Sequence, residues 1–138
     1  MKKHPWEKPS AVVRTLLAIA CIHALAVAAL AQGGPEGAAL EIRGDMRAGS
    51  PITALFDLKG YALPAGAYPS VNVRTIASSS GDQPVVKAGY PTTTLTFATP
   101  GTYELRFILN EVSKPSCGGV DARPLLEAVR VLTITGQP

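Results

Sequence analysis

The sequence predicts an all-β domain, an antiparallel sandwich or barrel of about seven short strands behind an N-terminal leader. Two observations carry this. Apolar side chains recur at every second position through several runs, which turns each such set toward one face, and every run is closed by Gly, Pro, Asn, Asp or Ser. A third is the scarcity of helical signal: "DARPLLEAVR" could make one turn, but Pro124 and the β-branched residues that follow argue against more.

The elements follow in order. Lys2, Lys3, Lys8 and Arg14 precede an apolar run from Leu16 to Ala31, the layout of a secretory signal helix. The run ends in "ALAQ", where Ala29 and Ala31 bracket Leu30, so cleavage is expected after Ala31 and residues 1–31 are the signal peptide. The alternative is an uncleaved anchor, but this run is interrupted by His23 and falls short of the roughly 20 residues that span a bilayer. A lipoprotein reading of "LAIAC" fails because Ala18 stands where a branched aliphatic belongs. The leader thus predicts an exported protein, of the periplasm or cell surface.

Removing the leader changes the chemistry available. The chain has 13 Lys and Arg against 10 Asp and Glu, but four of those bases and Glu7 lie before residue 32, which leaves nine against nine. No basic cluster remains to bind nucleic acid. His4, His23 and Trp6 also leave, so residues 32–138 contain no histidine and a single cysteine. They suit one domain that holds by packing, without an internal disulfide.

"QGGPEG", residues 32–37, reads as a flexible tether, and the domain is expected over 38–137. Its strands are "ALEIR" (Ala39 to Arg43), "ITALFDL" (Ile52 to Leu58), "SVNVRTIA" (Ser70 to Ala77), a short edge "VVKAG" (Val85 to Gly89), "TTTLTFA" (Thr92 to Ala98), "TYELRFILN" (Thr102 to Asn110) and "EAVRVLTITG" (Glu127 to Gly136). In the sixth, Tyr103, Leu105, Phe107 and Leu109 alternate with Glu104, Arg106, Ile108 and Asn110.

"LTFATPGTYELRFIL" resembles the penultimate strand pair of bacterial immunoglobulin-like and polycystic-kidney-disease-type domains, in which an apolar strand, "PGTY" and an alternating strand follow one another. The resemblance covers Thr92 to Ile134 and implies a single immunoglobulin-like antiparallel β-sandwich. Pro100 and Gly101 would then form the turn. Tyr103 would form the tyrosine corner, ring in the core and hydroxyl on upstream backbone. The region after residue 31 lacks the Trp and Cys pair of antibody-type domains and the "FGDG" of polycystic-kidney-disease-type repeats, so the subfamily stays open.

Catalysis finds little support. A Ser-His-Asp or Cys-His arrangement needs an imidazole, and a lone thiolate cannot complete a zinc site. The acidic residues are scattered, Asp121 and Glu127 among them, and no run offers the ligands of a calcium loop. Hence neither metal nor cofactor is expected, and the protein is read as no enzyme.

The unusual feature is "NEVSKPSCGGVDARPLLE", read as a long loop over 110–127 with Cys117 near its tip. Loops of that length tend to be functional or disordered, and Gly118 and Gly119 would let another backbone approach the sulfur. Several fates of Cys117 stay open: a packed small residue, a disulfide-linked dimer or partner bond, a sulfur-carrier or redox thiol, or simple exposure. Cys-Gly-Gly is similar to the end of a sulfur-carrier arm, but here it is internal. Lys114 and Arg123 are the nearby bases that could lower the thiol's pKa. Tyr61 and Tyr68, in "KGYALPAGAYP", either form a binding surface or cover the sandwich end. The reading that follows is a non-catalytic binding or accessory module whose partner is another exported or envelope protein, with membrane contact only through an uncleaved leader. The alternative is a thiol-dependent sulfur-carrier or redox protein using Cys117.

Overall fold

The structure, a computed structural model, describes residues 34–115 and 118–137. Seven strands are present: β1 (Ala39–Gly44), β2 (Pro51–Asp57), β3 (Tyr68–Ser78), β4 (Val85–Lys87), β5 (Thr92–Thr96), β6 (Gly101–Ser113) and β7 (Asp121–Ile134). They form two antiparallel sheets, ordered β1-β2-β5-β4 and β3-β6-β7, with no helix among the described residues. The expected signal helix lies outside the described residues.

The core comes from strands flanked on both sides by neighbours. Ile52, Ala54 and Phe56 of β2, Leu95 of β5 with Phe97 just beyond it, and Tyr103, Leu105, Phe107 and Leu109 of β6 are each at most 1 % exposed. The two inner faces meet where Phe56 and Phe107 pack edge to face at 6.5 Å, and where the Phe97 and Tyr103 rings lie 4.6 Å apart.

At the lower end, "TPGTY" turns the chain from β5 into β6. The Tyr103 hydroxyl donates to the Thr99 carbonyl at 2.7 Å, and the Ser80 hydroxyl lies 3.0 Å from it. Gly101 sits at φ +153°, and a Cβ there would lie 2.6 Å from Ser79 Oγ, which accepts from the Thr102 amide. Glycine is therefore required both by conformation and by space. Pro100 is exposed on the turn.

The expected 110–127 loop is corrected. β6 runs to Ser113 and β7 starts at Asp121, so the connection is only 114–120. A bulge hid this from the alternation: the register steps from Leu109↔Leu126 to Asn110↔Pro124, which makes Leu125 the extra residue and buries two successive leucines. Pro124, read as a breaker, is tolerated because β7 is an edge strand and the bulge lies beside it.

β1 and β7 are edge strands on the same side of the sandwich. Between them Arg130 occupies an inner-face position opposite Leu105 and snorkels outward, its guanidinium donating to the Val129 carbonyl at 2.9 Å and the Leu40 carbonyl at 3.3 Å. An inward-facing charge at an edge opposes strand addition. Farther down, the chain crosses between the sheets: Ala48 N donates to Thr135 O and Thr135 N to Met46 O, both at 2.9 Å.

The antiparallel registers sort the connections into two ends. Connections 45–50, 79–84 and 97–100 lie at the lower end. The upper end gathers connections 58–67, 88–91 and 114–120 together with the entry of the chain into β1.

Candidate functional site

The upper end is held by three side chains, Tyr61 from the 58–67 connection, Glu111 from β6 and Arg123 from β7. Asp57 closes β2 by accepting the Lys59 amide at 2.8 Å, Lys59 takes φ 52°, and Gly60 follows at φ 81°. This reversal, with the Tyr61 amide on Leu58 O at 3.0 Å, returns Tyr61 over the top of the core, where it packs half-buried against the apolar cluster. Its hydroxyl donates to Glu111 Oε2 at 2.6 Å.

Glu111 continues the apolar phase of β6, two residues beyond Leu109, and its side chain is only 13 % exposed. Its cross-strand partner is Arg123 of β7. The Arg123 guanidinium donates to Glu111 Oε2 at 3.2 Å and to the Tyr61 oxygen at 2.5 Å, with its carbon 5.8 Å from the Tyr61 ring centre. This latch ties the 58–67 connection to the β6–β7 hairpin. Charge-assisted bonds of this kind are the stronger ones.

The latch has a sign in pH. The Tyr61 hydroxyl, and then Arg123, hold the Glu111 carboxyl below its ordinary range. The bond to Glu111 holds the Tyr61 phenol above its own ordinary range. A depressed carboxyl stabilises the fold above its unfolded pKa and loses that contribution as pH falls through the folded value. A raised phenol stabilises below its unfolded pKa and loses it as pH rises through the folded value. The latch therefore holds across neutral pH. Glu111→Gln is expected to be less stable than wild type to urea at pH 7, and the gap should close as the pH drops below the ordinary Glu range. A gap that stays constant to pH 2 in parallel unfolding curves would contradict the assignment.

Thr93 secures the third connection. It is fully buried, and its Oγ1 donates to Gly89 O at 2.9 Å and accepts from Gly89 N at 3.1 Å, which pins 88–91 to β5. Between this connection and the latch lies an open depression of about 370 Å³, lined by Leu55, Asp57, Gly60, Tyr61, Ala62 and Tyr90 among others.

Of the residues singled out in the sequence, the structure brings together Tyr61 and Arg123. Tyr68 is 45 % exposed at the start of β3. Lys114 is exposed, and Gly118 and Gly119 take φ of 91° and 96° with open space around them. Cys117 lies outside the described residues. Arg123, expected beside the thiol, is committed to Glu111 and Tyr61. Sequence reasoning passed over Glu111 and Thr93. Both stand in the apolar phase of their strands, where a polar side chain needs a partner. Among the described residues no group of three or more His, Cys, Asp or Glu converges. No protein-family model, curated protein or solved structure matches the chain.

Proposed function

We propose that the chain is an exported, non-catalytic binding or accessory module of the periplasm or cell surface, built on an immunoglobulin-like sandwich and acting through its upper end. The observation that carries this reading is the convergence of three connections on one end: the Tyr61–Glu111–Arg123 latch fastens 58–67 to the two strands that bear 114–120, and Thr93 pins 88–91. Such fastening presents the exposed Tyr68 and Val120 from a rigid base, which lowers the ordering cost of binding.

The immunoglobulin-like assignment is supported by strand order. Lettered A to G in sequence, the sheets read A-B-E-D and C-F-G, the constant-type arrangement. The Tyr103 bond to upstream backbone at the start of the sixth strand has the form of the tyrosine corner. Export rests on the leader, and a non-catalytic role on the absence of histidine after residue 31.

A photoreactive amino acid placed at Val120, and separately at Ser80 on the opposite end, tests the reading in cells. Adducts to an envelope component from Val120 and none from Ser80 are expected, in the extracytoplasmic fraction. Equal labelling from both positions would remove the upper end as the working surface. Intact mass of the same material separates the thiol alternative: an added sulfur on Cys117 would replace the present reading with a sulfur carrier, and a disulfide would identify Cys117 as the link to a second copy or partner.

A further inference from the structure

We infer that the upper end docks on the surface of a phospholipid bilayer. The inference rests on the proposed role of that end and names what it meets. Its first support is composition. The segments "GYALPAGAYP" (60–69), "AGYP" (88–91) and "GGV" (118–120) contain no charged residue. They expose an interfacial set instead, with Tyr68 at 45 %, Tyr90 at 36 % and Val120 at 63 %. Tyrosine suits the zone between headgroups and acyl chains because its ring is apolar and its hydroxyl polar.

The second support is charge placement. Beyond Lys8 the chain has three lysines, Lys59, Lys87 and Lys114, and each stands at the root of one of the three upper connections. All three are exposed. Lys59 pairs with Asp57 at 2.6 Å, whereas Lys87 and Lys114 make no ion pair among the described residues. A ring of lysines behind an uncharged tip lets the ammonium groups reach lipid phosphates while the tip enters the interface. Glu36 and Asp121 share this end, so net charge does not drive the contact. The lower connections differ, carrying Asp45, Arg47 and Asp82 and no lysine.

The third support is where the chain enters. Gly34 lies so close to the Leu125 carbonyl that no side chain would fit, and Gly37 lies beside Lys59. The apolar run Leu16 to Ala31 ends three residues before Gly34, a reach of at most about 11 Å. Until the leader is cleaved, the membrane that run engages is therefore within reach of the upper end.

Amide hydrogen exchange on the exported protein, with and without vesicles of phosphatidylethanolamine and phosphatidylglycerol, tests this. Exchange should slow by about fivefold or more in 60–69, 88–91 and 118–120 and stay unchanged in 45–50 and 79–84. Tyr68→Asp combined with Val120→Asp should abolish the protection. Ile76→Asp, at a position 50 % exposed in β3 and away from this end, should keep it. Absence of slowing, equal slowing at both ends, or protection that survives the double substitution would overturn the inference. If Val120 crosslinks a protein but vesicles give no protection, the binding-module reading stands and this one falls. If both fail, both fall.

Discussion

Phe107→Ala is expected to destabilise the domain by about 4 kcal/mol, the middle of the range for an aromatic truncated in a packed core. The ring is fully buried at the centre of β6 and meets Phe56 edge to face across the sandwich. Its cross-strand neighbours are small, Val73 on β3 and Ala128 on β7. Neither can swing into the vacated space, so the cavity persists and the cost includes both lost transfer energy and lost contacts. A domain of this size has about 5–15 kcal/mol in total, and a loss of 4 lowers Tm by roughly 15–30 °C. Phe107→Leu keeps most of the volume and should cost about 1.5 kcal/mol or less. Urea unfolding of wild type and both variants checks this, with an unchanged denaturant slope as the sign that the folded state is intact. A loss under about 2 kcal/mol for Phe107→Ala would mean that the two sheets close on the gap.

The strands were legible in the sequence wherever a half-buried sheet imposed period two. Tyr103, Leu105, Phe107 and Leu109 are the clearest case: the phase read from the letters is the phase found in the core. The upper half of the last hairpin was not legible, and the reason is physical. A bulge inserts Leu125, reverses the phase, and places Pro124 where only an edge strand can accept it. Long-range pairing stabilised that segment against its local signals. The candidate site was half legible. Tyr61 and Arg123 stood out as a loop tyrosine and a nearby base, but their partner Glu111 lies in register with Arg123 and fifty positions from Tyr61, a distance that only the fold closes. The one local signal is a carboxylate two residues beyond Leu109 in the apolar phase, where it needs a partner. Thr93 and Arg130 are two more polar groups at inward positions, each with the hydrogen bonds its position demands.

Tyr103→Phe is expected to cost about 2 kcal/mol, although it removes a single oxygen. That hydroxyl donates to Thr99 O and sits within bonding distance of Ser80 Oγ, which in turn accepts the Asp82 amide at 3.3 Å. It thus links the turn from β5 into β6 with the connection from β3 to β4, two segments that each cross between the sheets. The ring is 1 % exposed and packs on Phe97, so phenylalanine fills the same space and the loss isolates the polar term. Because Tyr103 donates to the carbonyl, the Ser80 hydroxyl must donate to Tyr103, and Ser80→Ala removes that second bond together with the contacts of Ser80 Oγ to the Asp82 amide and Ser78 Oγ, neither of which involves Tyr103. In a double-mutant cycle the two substitutions should couple by about 1 kcal/mol, since each destroys the bond they share. Near-zero coupling, with Tyr103→Phe within about 0.5 kcal/mol of wild type, would show that water replaces the corner bonds at no cost and that Tyr103 serves the core through its ring alone.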